Sequence, residues 1–167
     1  EWVNAACQLH TKQVLAGIYL PPESKAFDRL MLRIRNRANG MMISMKNIKG
    51  PLQQLQNLHY VLGLIADQNP SNLANVAWLR FMNREAPFFV GSAHMARRGR
   101  AAIIFAGSRK IKRGYYYFEI QRYCNDASEK SVDEILHDYV AYLETQMHKQ
   151  PENWMWTHNR WKHKRES

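Results

Sequence analysis

The most concentrated group of chemically active side chains lies at the end of the chain. Residues 151–165 contain three Trp, two His and four Arg or Lys. Aromatic rings beside cationic groups suit a membrane interface or an anionic ligand held against an apolar wall. The same composition also suits single-stranded nucleic acid, which binds by base stacking and phosphate contacts. We expect residues 154–165 to fold back on the domain beside the active site, because the Trp side chains are costly to leave in water.

A second candidate group consists of one acid and several arginines. Asp67 follows the apolar run 60–66, so its carboxylate is expected at the rim of a sheet, where active sites collect. The alternative is an Asp that only caps its own turn. Arginines recur on the helix predicted near 23–37, and a guanidinium matches a phosphate or a carboxylate. Such a series is more often a solvated face, so only Arg37, near the helix end, is a candidate.

Composition limits the classes of protein that fit. The net charge of +10 attracts polyanions, whether nucleic acid, anionic lipid or an acidic protein. The basic turn 109–113 is expected to be a solvated hairpin tip, although it could touch anionic lipid. Only Cys7 and Cys124 are present, far apart, so neither a disulfide framework nor a zinc site is predicted, and a reducing compartment is favoured. No apolar run reaches the ~20 residues that a membrane span needs.

These residues need a scaffold, and periodicity predicts one. Strands are predicted at 14–19, 41–44, 60–66, 76–81, 101–107 and 115–123. Helices are predicted at 2–10, 23–37, after Asn47 as N-cap, at 89–98, and from Ser131 until just before Pro151. The run 60–66 is expected to be buried on both faces of a sheet. Alternation of this kind predicts an α/β domain, 1–167, with a mixed, mostly parallel sheet covered by helices.

The closing segment also follows a long, specific pattern. Residues 151–162 read Pro-Glu-x-Trp-x-Trp-x-His-x-Arg-Trp-Lys. Further landmarks in the same order are Arg35-x-Arg37 before a short strand, Asp67-Gln68 after an apolar strand, Phe81, Ala86-Pro87 and Ala96-Arg97. Over essentially its whole length, the chain resembles the lauroyl and myristoyl acyltransferases that complete lipid A in bacteria. That family is part of the wider glycerolipid-type acyltransferase group, and the resemblance implies its fold.

The resemblance implies a catalytic His-x4-Glu motif, in which Glu1 matches the acid and Trp2 matches the residue after it. None of the seven histidines has an acid five positions later. The motif histidine is therefore expected five positions before Glu1, so the chain is expected to be a C-terminal fragment that is inactive alone. In the implied mechanism, that histidine is the general base and Glu1 orients its imidazole, with no cofactor and no metal. Arg37 and Asp67 match family positions near the same centre.

The resemblance further implies the partners. The donor would be an acyl carrier protein thioester, and the acceptor a hydroxyl of a lipid A precursor. The residues expected to bind the acceptor are His158, Asn159, Arg160, Trp161 and Lys162. Of these, His158, Arg160 and Lys162 would bind its phosphate or sugar acid. The enzyme would work on the anionic cytoplasmic face of the inner membrane, peripherally, with any anchor upstream and no nucleic acid bound. The alternatives are a lysophospholipid or other lipid as acceptor, or a basic nucleic-acid-binding module.

Overall fold

The structure is a computed structural model that describes residues 2–36, 40–70 and 72–165. The chain divides into two compact units, 1–64 and 65–167. The single domain 1–167 expected from the sequence stays a prediction.

The first unit contains a small parallel sheet. Its elements are α1 (Trp2–His10), β1 (Val14–Tyr19), α2 (Lys25–Arg35), β2 (Gly40–Ser44), α3 (Lys49–Leu55) and β3 (Tyr60–Gly63). The strand order is β2-β1-β3, with both pairs parallel. Ala16, Ile43 and Leu55 form its buried core. The alternation of strand and helix predicted for this part of the chain is therefore confirmed.

Two local predictions in this unit are wrong. The strand predicted at 60–66 ends at Gly63, and Ile65 is 81% exposed, so the run is not buried on both faces. The central position is taken by β1, which pairs on both sides and leaves β3 with only one described neighbour. The N-cap of α3 is Ile48 rather than Asn47, and it makes no side-chain cap hydrogen bond. Apolar runs alone do not reveal which strand is central, because that depends on pairing between distant segments.

The second unit combines two antiparallel hairpins with a long helix. Its elements are β4 (Val76–Phe81), β5 (Arg84–Phe89), α4 (Gly91–Arg98), β6 (Ile103–Lys112), β7 (Tyr115–Cys124) and α5 (Val132–Lys149), with 3₁₀ turns at Ala127–Glu129 and Pro151–Asn153. Strand β4 pairs with β5, and β6 pairs with β7. Buried side chains from β4, β5, α4 and α5 form one core, which includes Phe81, Phe88 and Leu136.

Strand β5 was not expected, and the helix predicted from residue 89 begins at Gly91. The chain reverses at Met82 and Asn83, whose φ angles are +48° and +62°. A left-handed Met is uncommon, which is why the sequence does not indicate this two-residue turn. Glu144 of α5 stabilises the turn, because its carboxylate accepts a hydrogen bond of 2.6 Å from the Met82 N–H.

Helix α5 forms as the sequence predicts. Ser131 Oγ accepts a hydrogen bond of 3.1 Å from the Glu134 N–H, and the Glu134 carboxylate accepts one of 2.8 Å from the Ser131 N–H. This reciprocal capping box satisfies two donors that the first turn would otherwise leave unpaired. Its apolar stripe packs into the core of the second unit, and the helix ends at Lys149, before Pro151.

The fold class is thus mixed α/β. A single, mostly parallel sheet is not confirmed, because the described strands form one parallel trio and two antiparallel pairs. The predicted basic turn is also shorter than expected: β6 runs to Lys112, and only Arg113 and Gly114 connect it to β7. Gly114 has a φ of +80°, a conformation that glycine adopts without strain.

Candidate functional site

The C-terminal segment, residues 154–162, packs on the β4–β5 hairpin of its own unit. Phe81 is fully buried, and the rings of Trp154 and Trp161 lie with their centroids 5.6 and 5.7 Å from its centroid. The Trp161 indole N–H also donates a hydrogen bond of 3.3 Å to the Phe81 carbonyl. The predicted packing is confirmed for these two tryptophans. It is wrong for Trp156, which is 57% exposed and donates its indole N–H to the nearby Pro151 carbonyl.

Arg160 is the most deeply placed residue of this segment. Its side chain is fully buried, and its guanidinium donates to the Asn69 side-chain oxygen at 2.9 Å and to the Pro87 carbonyl at 2.7 Å. The guanidinium carbon lies 4.2 Å from the centroid of the Phe88 ring. Within the part of the chain that the structure describes, its Nε has no hydrogen-bond partner. The cation therefore joins the C-terminal segment to β5 and to the loop that follows Asp67.

Asp67 and Tyr139 act electrostatically on Arg160. Burial lowers the pKa of Arg160 to about 10, and the charges of Tyr139 and Asp67 oppose that shift. Burial raises the pKa of Tyr139, and the negative charge of Asp67 raises it further. At neutral pH, Arg160 is therefore charged and Tyr139 is neutral. Asp67, Tyr139 and Arg160 therefore interact electrostatically, although they come from three distant parts of the sequence.

Asn69 connects the loop to the C-terminal segment, although no motif in the sequence predicts it as a site residue. Its backbone N–H donates to His158 Nε2 at 2.9 Å, and its side-chain amide donates to the Asn159 carbonyl. Its side-chain oxygen accepts the hydrogen bond from Arg160. An amide side chain can do this because it offers both donors and an acceptor. The available signal was its position, two residues after Asp67 and directly before a proline.

The hydrogen bond to His158 also sets the state of its imidazole. A ring nitrogen that accepts from a backbone N–H must be unprotonated, so the neutral ring holds its proton on Nδ1. In this arrangement Nε2 accepts from the Asn69 N–H. The Nδ1–H is then the N–H donor of the ring. His158 is therefore not arranged to act as a base through Nε2.

Comparison with known protein families agrees with the closing sequence pattern of residues 151–162. The family described as bacterial lipid A biosynthesis acyltransferase matches residues 1–163. The chain belongs to this family. No curated protein matches the chain.

The five residues predicted to bind the acceptor differ in what surrounds them. His158, Asn159 and Arg160 meet the Asp67–Asn69 loop, and Trp161 packs on Phe81. Lys162, by contrast, is exposed. A direct contact between Arg160 and the acceptor stays a prediction, and its burial favours a positioning role. Glu1 and Arg37 lie outside the described residues, so the expectation that Arg37 and Asp67 lie near Glu1 also stays a prediction.

Two further observations concern metals and membranes. Among residues 2–36, 40–70 and 72–165, no group of three or more His, Cys, Asp or Glu is arranged to hold a metal ion. Across the same described ranges, the helices are all too short or too polar to cross a bilayer.

Proposed function

We propose that this lipid A acyltransferase moves an acyl chain from an acyl carrier protein thioester to a hydroxyl of a lipid A precursor, at the cytoplasmic face of the inner membrane. The observation that supports it is the family match over residues 1–163, together with the C-terminal segment that Asn69 and Arg160 attach to the Asp67 loop. In this proposal, that segment is the acceptor-binding part of the site.

The reaction needs one base and no covalent enzyme intermediate. The acceptor hydroxyl oxygen attacks the thioester carbonyl carbon while a histidine removes the hydroxyl proton. The tetrahedral intermediate then collapses, the carbon–sulfur bond breaks, and the carrier thiolate takes up the proton. Glu1 would accept a hydrogen bond from that histidine and stabilise its positive charge, as in other acid–histidine pairs. The histidine is expected five positions before Glu1, in the family's His-x4-Glu motif.

The acceptor's anionic groups would meet two donors of the C-terminal segment, one on the exposed Lys162 and one on the half-buried His158. Lys162 is exposed, and the His158 Nδ1–H is not used by the Asn69 contact. Both can donate to a phosphate oxygen, and the bond from an ammonium is charge-assisted. Arg160 would act through its neighbours, because its side chain is fully buried and two of its five N–H groups already donate to Asn69 and Pro87. Asp67 would stabilise that buried cation and keep the loop beside the segment.

Acceptor binding tests this assignment with a matched pair of variants. Lys162→Ala and Lys164→Ala each remove one exposed ammonium from the same part of the chain, two residues apart. We expect Lys162→Ala to weaken binding of a lipid A precursor in detergent micelles by roughly 10- to 150-fold, the range for losing a charge-assisted bond. Lys164→Ala should change the affinity by less than about twofold, as expected for an exposed charge. Equal losses for both variants would indicate a general basic surface and contradict the proposal.

Acyl transfer tests the catalytic part separately. We expect turnover with acyl carrier protein donor from a longer chain in which a histidine stands five positions before Glu1. We expect none from residues 1–167 alone, and Glu1→Ala in the longer chain should lower the rate without lowering the unfolding free energy. Turnover by the 167-residue chain would show that another group is the base. Loss of affinity for single-stranded nucleic acid in Lys162→Ala, with unchanged acceptor affinity, would favour a nucleic-acid-binding module instead.

A further inference from the structure

The β6–β7 hairpin has one face packed on its own unit and one face exposed. On the inner face, the Phe105 ring lies with its centroid 4.8 Å from that of Tyr123 and 5.2 Å from that of Tyr142 on α5. On the outer face, Ile104, Tyr116 and Ile120 are 45%, 58% and 59% exposed. The register sets this alternation, because Lys110 lies opposite Tyr116 and Ala106 lies opposite Ile120. Large apolar side chains therefore face solvent along one side of the ribbon.

The tip of the hairpin adds cations and further apolar groups. Residues 109–118 read Arg-Lys-Ile-Lys-Arg-Gly-Tyr-Tyr-Tyr-Phe and contain no acid. Ile111 and Tyr115 are 64% and 60% exposed. The Lys112 ammonium lies 4.3 Å from the centroid of the Tyr115 ring, and the Arg109 guanidinium lies 4.7 Å from that of Tyr117. Exposed cations and apolar groups thus lie close together at the hairpin tip, on both sides of the ribbon, because neighbouring strand residues such as Tyr115 and Tyr116 point to opposite faces.

The hairpin is attached to the end of α5 and to the start of the C-terminal segment. The Gln150 side chain accepts from the Lys110 N–H at 3.1 Å and donates to the Lys110 carbonyl at 3.0 Å. The Asn153 side chain donates to the Ser108 carbonyl. Asn153 directly precedes Trp154, so the hairpin is fixed to the segment that would bind the acceptor. A surface that meets the hairpin tip would therefore be held near that segment.

We propose that the tip and outer face of this hairpin dock the protein on an anionic lipid bilayer. The docking face consists of Ile111, Lys112, Arg113, Tyr115, Tyr116 and Ile120. The inference rests on the proposed function, because a lipid A precursor is itself a bilayer lipid. Lys112 and Arg113 would meet headgroup phosphates, while the isoleucines enter the apolar layer and the tyrosines lie at the interface.

The mixture of side chains selects a bilayer over the other anionic partners. Single-stranded nucleic acid would use the tyrosines for stacking and the cations for phosphates, but gains little from Ile111 and Ile120. An acidic protein would meet the cations, yet the cores of such interfaces are depleted of Lys. A bilayer binds the cations, the isoleucines and the tyrosines together, since its interface offers anionic headgroups above an apolar layer.

Vesicle binding of the whole 167-residue chain tests the docking face. Sedimentation is measured with phosphatidylcholine vesicles, with and without about 30% phosphatidylglycerol, to vary the surface charge. We expect K112Q/R113Q to weaken binding to the anionic vesicles by about tenfold or more. I111S/Y116S should weaken it by about tenfold, and this loss should persist at high salt because it is apolar. The control K25Q/K46Q removes two exposed cations elsewhere and should change binding by less than about twofold.

The outcomes separate the docking face from the proposed function. Unchanged vesicle binding in both hairpin variants overturns the docking face. The same conclusion holds if those variants lose affinity for a labelled oligothymidylate or for acyl carrier protein while vesicle binding is retained. Acceptor binding in micelles is measured in parallel, since it requires no bilayer. If the hairpin variants lose vesicle binding as expected but the unaltered chain does not bind the precursor, the proposed function fails while the docking face stands.

Discussion

The contact between Asn69 and Arg160 allows a quantitative test of how the C-terminal segment is held. The test is a double-mutant cycle with Asn69→Ala, Arg160→Met and the double variant. Asn69→Ala removes the oxygen that accepts from Arg160 at 2.9 Å, and also the amide that donates to the Asn159 carbonyl. Arg160→Met replaces a fully buried cation by an apolar side chain of similar length. The double variant shows how much of each effect belongs to the pair.

The expected energies depend on the charges and the burial. A hydrogen bond to a charged group contributes about 1.5–3 kcal/mol, and an exposed neutral bond about 0.5–1.5 kcal/mol. Asn69→Ala should therefore lower the unfolding free energy by about 2–4.5 kcal/mol, because it removes both bonds and leaves a buried cation with one partner fewer. In the Arg160→Met background, Asn69→Ala should cost only about 0.5–1.5 kcal/mol, because only the hydrogen bond to the Asn159 carbonyl is then lost. The predicted coupling is thus about 1.5–3 kcal/mol.

The assay is urea unfolding monitored by tryptophan fluorescence at neutral pH. Four of the five tryptophans belong to the second unit, so this signal reports mainly on the unit that contains the contact. Asn159→Ala is a matched control, because Asn159 contributes its backbone carbonyl and the variant keeps that bond. The control should change the unfolding free energy by less than about 0.5 kcal/mol, as for most exposed substitutions.

Two results would refute this reasoning. A coupling energy below about 0.5 kcal/mol would mean that Asn69 and Arg160 act independently. A loss in Asn159→Ala as large as that in Asn69→Ala would mean that the loop is held by something other than the Asn69 side chain. Either result would remove the physical basis for assigning Arg160 a positioning role.

Three other predictions concern stability. Ser131→Ala should cost about 0.5–2 kcal/mol in urea unfolding by breaking the capping box with Glu134. Trp154→Ala should cost about 3–5 kcal/mol, whereas the same change at the exposed Trp156 should cost about 1 kcal/mol; comparable losses would contradict the packing on Phe81. Hydrogen bonds from Ser128 lower the pKa of Asp126 to about 2 in the folded chain. The stability that ionised Asp126 contributes is therefore complete above the unfolded pKa near 4 and is lost as pH falls towards 2. Asp126→Asn should therefore reduce the loss of folded structure, monitored by circular dichroism, between about pH 4 and pH 2.

The local elements were the most predictable part of the fold. The Ser131 and Glu134 capping box, the apolar stripe of α5 and the stop before Pro151 all depend on neighbours within a few residues, and the structure contains each of them. The strand 14–19 also forms with the predicted bounds. Strand β5 was missed because its turn depends on a left-handed Met82, which Glu144 stabilises from 62 residues away. No local pattern reveals such a contact.

The family could be recognised from the sequence, because the closing pattern is a run of consecutive residues, and the family match over residues 1–163 agrees with it. The different surroundings of the residues within that pattern could not be predicted from the sequence. Arg160 and Lys162 are both basic and two positions apart, yet the first is fully buried and the second exposed. Asn69, Arg160 and His158 meet across 89 to 91 positions of sequence. Only tertiary packing decides which cation is desolvated and which remains exposed to a ligand, because burial depends on what the rest of the unit places around each side chain.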